Sequence, residues 1–275
     1  MSVDVHARPA YLPAFGWLTG HLELLRTMLR RELRSKYKGS SLGILWSYVY
    51  PLAMMGVYTL VFSVLWHAVK IPHYPLFVLT GLALWAFFQS ALQLAAGSIP
   101  ANGDLIRNVW FPRELIPLAI VLSQALSALI MFVVLVPIDL VVVPEAARTV
   151  LLAVPIFVAF LLLAIGLSWI VATLNVFFRD VEHLLGVLFL PWFFLTPVLY
   201  SLEQLPGAKG HDWLIHLLRY GNPVAPYVEG IRGAILQGNV AGPSLLLYVF
   251  VVGPLVALLG LWVIQRYEDR FAVAL

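Results

Sequence analysis

The chain has no cysteine among its 275 residues, so neither a disulfide nor a thiolate-ligated metal can form. Charge is scarce too. Asp, Glu, Lys and Arg make up 11% of the sequence and apolar residues 61%, where a soluble domain carries about 25% charge. The solvent for most of this polypeptide is therefore lipid. No GxxxxGK(S/T) phosphate loop is present. The nearest string, Lys38-Gly39-Ser40-Ser41, lacks the glycine-rich lead and the preceding strand, so this chain is not expected to hydrolyse ATP itself. The seven histidines make no metal site: His211 and His216 are five apart, wrong for one helix face, and His67 and His73 flank a loop. No nucleophile–base pair stands out, which argues against an enzyme. The first twenty residues lack an apolar core and contain two prolines, so no signal peptide is expected.

Charge-free stretches of about 20 residues, enough to cross a bilayer, occur six times. They predict one all-α integral membrane domain over 1–275, with spans near 44–68, 76–98, 115–137, 150–176, 183–201 and 244–265. Glu114 and Asp139 bound the third. Mid-span positions hold no Asp, Glu or His of the kind that binds a coupling ion, so the energy for any transport has to come from a partner. An even number of spans puts both termini on one side. With that side cytoplasmic, the inner segments carry twelve Lys and Arg and the outer ones five, as the positive-inside rule requires.

Three non-spanning pieces stand out. Residues 21–38 read as an amphipathic interface helix. Leu22, Leu25, Leu29, Leu33 and Tyr37 lie on one face, and Arg26, Arg30, Arg34 and Lys38 form a stripe at a four-residue step, facing lipid phosphates or a soluble partner. The loop 99–114 can hold a short helix, capped by Asn102 and stopped by Pro112, that displays Asp104, Ile106, Arg107, Val109 and Trp110 as a docking knob; an ordinary loop with an aromatic anchor is the alternative. Residues 211–236 suggest two short helices broken at Gly221-Asn222-Pro223, with Asn222 as cap. They form either a re-entrant hairpin in the outer leaflet or a pair lying flat on it.

Neutral polar and aromatic residues in the spans suit a sugar chain, which offers hydroxyls and apolar C–H faces. The candidates for a path are Trp46, Tyr48 and Tyr58 in the first span, with Trp66 and a kink at Pro51. Trp85, Phe88, Gln89 and Gln93 follow in the second, and Trp192, Phe193 and Tyr200 in the fifth. The same residue types also make interfacial belts and helix contacts. Six spans are few for surrounding a polymer, so a symmetric dimer is expected. Ala91, Ala95 and Gly97, and Gly253, Ala257 and Gly260, offer small residues for close helix approach.

Three strings carry a resemblance. The first is Arg31-Glu32-Leu33-Arg34-Ser35-Lys36-Tyr37 leading to Ser41-Leu42-Gly43-Ile44-Leu45-Trp46 and Tyr50-Pro51-Leu52. The second is Leu174-Asn175-Val176-Phe177-Phe178-Arg179-Asp180-Val181. The third is Thr196-Pro197-Val198-Leu199-Tyr200, then Leu205-Pro206 and Tyr220-Gly221-Asn222-Pro223. In order and spacing the chain resembles the membrane (permease) subunit of type-2 polysaccharide ABC exporters, nearest the O-antigen and teichoic-acid branch. That resemblance implies two copies of this chain with two ATP-binding-cassette subunits in a bacterial inner membrane. ATP and Mg would sit on the partner, with no cofactor, metal or catalytic residue in this chain and no nucleic-acid partner. It implies ATPase coupling through 21–38 (Arg26, Arg30, Arg34, Lys38) and through 102–112 (Asp104, Arg107, Trp110). It also implies re-entrant helices before the last span, and entry of a polyprenyl-diphosphate-linked polysaccharide between the first and fifth spans. Arg30, Arg31, Arg34 and Lys38 are candidates to meet the diphosphate, membrane headgroups being the other taker. The alternatives are export of a drug or small amphiphile, and a membrane assembly protein that transports nothing.

Overall fold

The computed structural model describes residues 14–40, 43–65, 71–109, 111–204 and 211–274, and among them every regular element is helical. The leucine-and-arginine stretch forms α1, Ala14–Tyr37, starting before the expected His21. The first apolar stretch forms α2, Trp46–Tyr58, and runs on in π-helical turns over Thr59–Leu65. The helix passes through Pro51 unbroken; the hydrogen-bond register widens at Thr59 instead. Trp66 lies outside the described residues. Next come α3 (Tyr74–Ala96), the short α4 (Ser98–Ala101) and α5 (Gly103–Asn108), then α6 (Leu115–Val142) and α7 (Ala153–Phe177). The chain closes with α8 (Val181–Leu195), α9 (Asp212–Tyr220), α10 (Ala225–Leu236), α11 (Pro243–Tyr267) and α12 (Phe271–Ala274).

Among the described residues, five stretches are long and apolar enough to cross a membrane: Tyr48–Leu65, Tyr74–Ala96, Leu115–Val142, Val150–Phe177 and Pro243–Arg270. The expected fifth span, 183–201, is shorter. Helix α8 has 15 residues, about 22 Å at 1.5 Å per residue. It stops because Thr196 precedes Pro197, whose ring drives the residue before it into the extended conformation seen there. The third span runs past its expected end at 137 and takes Asp139 inside the helix, where it is fully buried. Asp139, expected to bound this span, thus lies inside the helix near its end.

Helix α3, the most buried of the long apolar helices, touches α2, α6, α7, α8 and α10. Helix α2 is peripheral, with Trp46, Tyr50, Leu52, Val57 and Leu60 exposed. The closest pairing is α7 with α11. A Cβ on Gly166 would strike the Val256 carbonyl, one on Gly260 the Gly166 carbonyl, and one on Gly253 the Ala159 carbonyl, so the two backbones touch. Gly253 and Gly260, expected as material for a dimer, are therefore consumed within the chain. Ala91 and Ala95 are fully buried in the chain as well, and Gly97 faces Glu182.

The molecule has two distinguishable ends. Helices α1 and α5 and the α7–α8 turn share one. Helices α9 and α10 and the connections 143–149 and 237–242 share the other, where Thr149 Oγ1 donates to the Ala234 carbonyl at 2.8 Å.

Candidate functional site

At the α5 end, α1 leans on α6 and buries Leu25 and Met28, while Leu22 is exposed. The buried stripe is thus rotated from the expected one. Arg26, Arg30, Arg34 and Lys38 are all exposed. Arg31 is exposed as well, and its Nη2 donates to Asn102 Oδ1 at 2.8 Å, tying α1 to the loop that carries α5. Lys36 reaches into the bundle and donates to Gln124 Oε1 and Ser127 Oγ, both at 2.8 Å. It stands at the mouth of a cavity of about 470 Å³ between Trp46, Tyr50 and Pro51 on one side and Phe87, Gln124 and Met131 on the other.

Helix α5 exists, but its start differs from the expected cap. Asn102 makes no capping bond; its amide donates to the Ser98 carbonyl at 2.8 Å while its oxygen accepts from Arg31. The helix ends at Asn108, before Pro112 is reached. Asp104, Arg107 and Val109 are exposed, whereas Ile106 is buried and so anchors the helix rather than being displayed. Trp110 lies outside the described residues.

The Asn-Val-Phe-Phe-Arg-Asp string has a visible task. Asn175 Nδ2 donates to the Ala96 carbonyl at 3.0 Å, and its Oδ1 accepts from the Glu182 N–H at 3.2 Å. One buried amide therefore joins the end of α3, the end of α7 and the start of α8. Gln93 Nε2 donates to the Glu182 carbonyl at 3.1 Å and tightens the same junction. Beside it lies a cavity of about 580 Å³ lined by Asp104, Arg107, Asn175, Arg179, Glu182 and His183. The cavity brings Asp104 and Arg107 of α5 together with Arg179, Glu182 and His183, which lie some 70 residues further along the chain.

The aromatic candidates gather between α3 and α8. Trp85 and Phe193 have ring centroids 5.6 Å apart, Phe88 and Trp192 5.3 Å, and Phe189 and Trp192 stack at 6.2 Å. Phe88, Trp85 and Phe193 are buried, so in this conformation they pack the wall. Tyr58 joins the cluster from α2 at 6.2 Å from Phe193. Trp46 and Gln89 are exposed, and Tyr48, Tyr58, Gln93, Trp192 and Tyr200 are half-buried. Tyr48 Oη donates to the Ile130 carbonyl, Trp85 Nε1 to Gln89 Oε1, and Tyr200 Oη to the Phe194 carbonyl.

At the α10 end, α9 buries no residue and α10 buries all but one of its positions. Helix α10 starts at Ala225 rather than at Pro223. Asn222 Oδ1 accepts the Val224 N–H at 3.0 Å and also Trp192 Nε1 at 3.0 Å, and its Nδ2 donates to Thr196 Oγ1. The break between the helices is thus tied to the end of α8. Arg232, which charge counting had assigned to an outer segment, is buried. Its Nη1 and Nη2 donate to the Pro197 and Val198 carbonyls at 2.6 and 2.8 Å, and its guanidinium sits 3.5 Å above the Phe77 ring. Gly81 makes room for it: a Cβ there would meet Arg232 Nη2 and the Val198 carbonyl. A lone arginine between Gly230-Ile231 and Gly233-Ala234-Ile235-Leu236 was the available signal. Arg219 pairs with Glu229 at 2.7 Å across the hairpin; burial pushes the Glu229 carboxyl above its usual range while Arg219 pulls it down.

Among the described residues no cluster of His, Asp and Glu could hold a metal ion. The arrangement offers a cationic surface, a braced loop and an aromatic wall. The sequence is 30% identical over 251 residues to an O-antigen export system permease protein of Klebsiella pneumoniae, covering 91% of this chain and 94% of that one. It is 28% identical over 253 residues to the Myxococcus xanthus protein of the same description, covering 90% and 94%. With a polysialic acid transport protein of Escherichia coli it shares 23% identity over 252 residues, covering 89% and 93%. The family model described as ABC-2 type transporter matches residues 23–236. With its long apolar helices and the junction built by its Asn175 string, this multi-pass membrane chain belongs to the ABC-2 type transporter family.

Proposed function

We propose that the chain is the transmembrane half of an ATP-driven exporter that moves a lipid-linked, O-antigen-like polysaccharide from the cytoplasmic to the outer side of a bacterial inner membrane. Two copies work with two ATP-binding-cassette subunits. The α5 end faces the cytoplasm, and both termini lie there. Helix α8 with residues 196–200 makes a sixth crossing, because the chain passes from the α5 end at Glu182 to the α10 end at Arg219. Helices α9 and α10 form the re-entrant hairpin; the enclosure of α10 by protein on nearly all sides supports that reading.

The observation that carries the proposal is the Arg31–Asn102 bond. It joins the exposed cations of α1 to Asp104 and Arg107 of α5 as one surface, so a partner seated there pushes on both at once. ATP and Mg belong to that partner. Arg30, Arg31, Arg34 and Lys38 remain the candidates to meet headgroup or carrier phosphates, Arg31 while also bonded to Asn102. The exposed apolar faces of α2 and α8, including Val57, Leu60, Val187 and Leu190, suit a second copy and the lateral entry of a lipid. The names of the relatives supply the substrate class. Deleting the chain and extracting the lipids tests it: glycan accumulating on its polyprenyl carrier inside the cell is expected. Unaltered surface glycan with no accumulation refutes it, and loss of resistance to an amphiphile instead points to the small-molecule alternative.

A further inference from the structure

Helix α11 is joined at both of its ends to parts the proposed cycle must move. At the α5 end its continuation folds back on the loop that carries α5. Arg113 donates to the Glu268 carbonyl, and Gln265 Nε2 donates to Glu114 Oε1 at 3.1 Å. Helix α12 packs on α5. Phe271 is fully buried, with its ring 6.1 Å from Phe177 of the Asn175 string, and Ile106 of α5 is buried too. At the α10 end, Tyr248 Oη donates to the carbonyl of Tyr220, the last residue of α9, at 3.0 Å, and Tyr220 Oη donates to Ser244 Oγ at 3.1 Å. Tyr227 of α10 donates to the Val249 carbonyl at 3.1 Å. Between these joints α11 rides on the backbone of α7 through Gly253 and Gly260.

We propose that α11, with its 268–274 extension, is a rod that ties α5 to the α9–α10 hairpin, so that displacement of α5 reaches the opposite face through α11. The inference rests on the reading of α5 as the handle of the ATPase subunit. A helix of 25 residues spans about 37 Å; Pro254 interrupts its hydrogen-bond ladder at mid-length, and the α7 backbone packed against Gly253 and Gly260 on either side braces it there. Residues 243–274 lie beyond the stretch matched by the family model, which ends at 236. Phe271 and Tyr248 are positioning residues in this device.

Hydrogen–deuterium exchange on the purified chain in nanodiscs tests the two joints without any partner. Phe271→Ala raises exchange across 103–108 about tenfold, and Phe271→Leu, which keeps the buried apolar contact, restores it. Tyr248→Phe, which removes one hydroxyl and opens no cavity, raises exchange across 212–220. The transmission is then read on the chain purified with its ATPase subunit. A Trp213→Cys reporter, unambiguous in a cysteine-free chain, labels with maleimide at rates that differ between nucleotide-free and ATP-bound states. Adding Phe271→Ala abolishes that difference while ATP hydrolysis continues. The rod is refuted if Phe271→Ala leaves 103–108 unchanged, if Tyr248→Phe leaves 212–220 unchanged, or if the reporter keeps its nucleotide response in Phe271→Ala. If no ATPase co-purifies, the proposed function falls, and the exchange measurements still decide the joints.

Discussion

Arg232 is the residue whose chemistry departs furthest from its neighbourhood. A guanidinium in an apolar core persists because the Pro197 and Val198 carbonyls, in the segment that follows α8, accept from it, and because Phe77 offers its ring face. Replacing it with Leu leaves the Pro197 and Val198 carbonyls buried and unpaired. We expect a loss of about 1–3 kcal/mol, measured as a lower thermal midpoint of the purified protein. Arg232→Lys does not recover it, since one ammonium lacks the planar fork that reaches both carbonyls. Asn175 works in the same way at the other end, closing three chain ends with one amide. Both residues stand in the sequence, Asn175 within a string that drew attention by itself. Their partners do not, because Ala96 and Pro197 are distant in the chain and become neighbours only when helices pack.

Among the elements, α7 and α11 depend on glycine most strictly. Gly166→Val places its side chain against the Val256 backbone, which cannot yield by a rotamer change. The chain is expected to fail to accumulate in the membrane on immunoblots, whereas Gly186→Ala, where a Cβ meets nothing, accumulates normally. For α1 the expectation is different, because Arg34 is exposed and its loss opens no cavity. Arg34→Glu should insert at wild-type levels and abolish either export or co-purification of the ATPase subunit; unchanged surface glycan in that variant removes α1 from the coupling surface. The arginine stripe was legible from its four-residue step, and so were the five long apolar helices. Less legible was α8, because its length is set by the Thr196-Pro197 break and by Asn222, which reaches it from the distant turn between α9 and α10.

For the whole molecule, the crossing number decides which end meets which compartment. With Glu23→Cys on α1 and Trp213→Cys on α9, both exposed in a cysteine-free background, an impermeant maleimide on intact spheroplasts should label the second and spare the first. Labelling of both from one side removes the sixth crossing, and the reverse pattern inverts the orientation. Hydropathy, periodicity and motif spacing are properties of a local stretch, so the lipid solvent, the approximate spans, the amphipathic cationic helix and the lack of a GxxxxGK(S/T) string are readable from the residues alone. Packing is what brings Gly253 and Gly260 against α7, Arg31 to Asn102, Asp139 and Arg232 into the interior, and α11 to both ends. Burial and pairing depend on which distant segments meet, and in lipid, where every helix face is apolar, hydrophobicity no longer distinguishes the face that meets protein from the face that meets the bilayer.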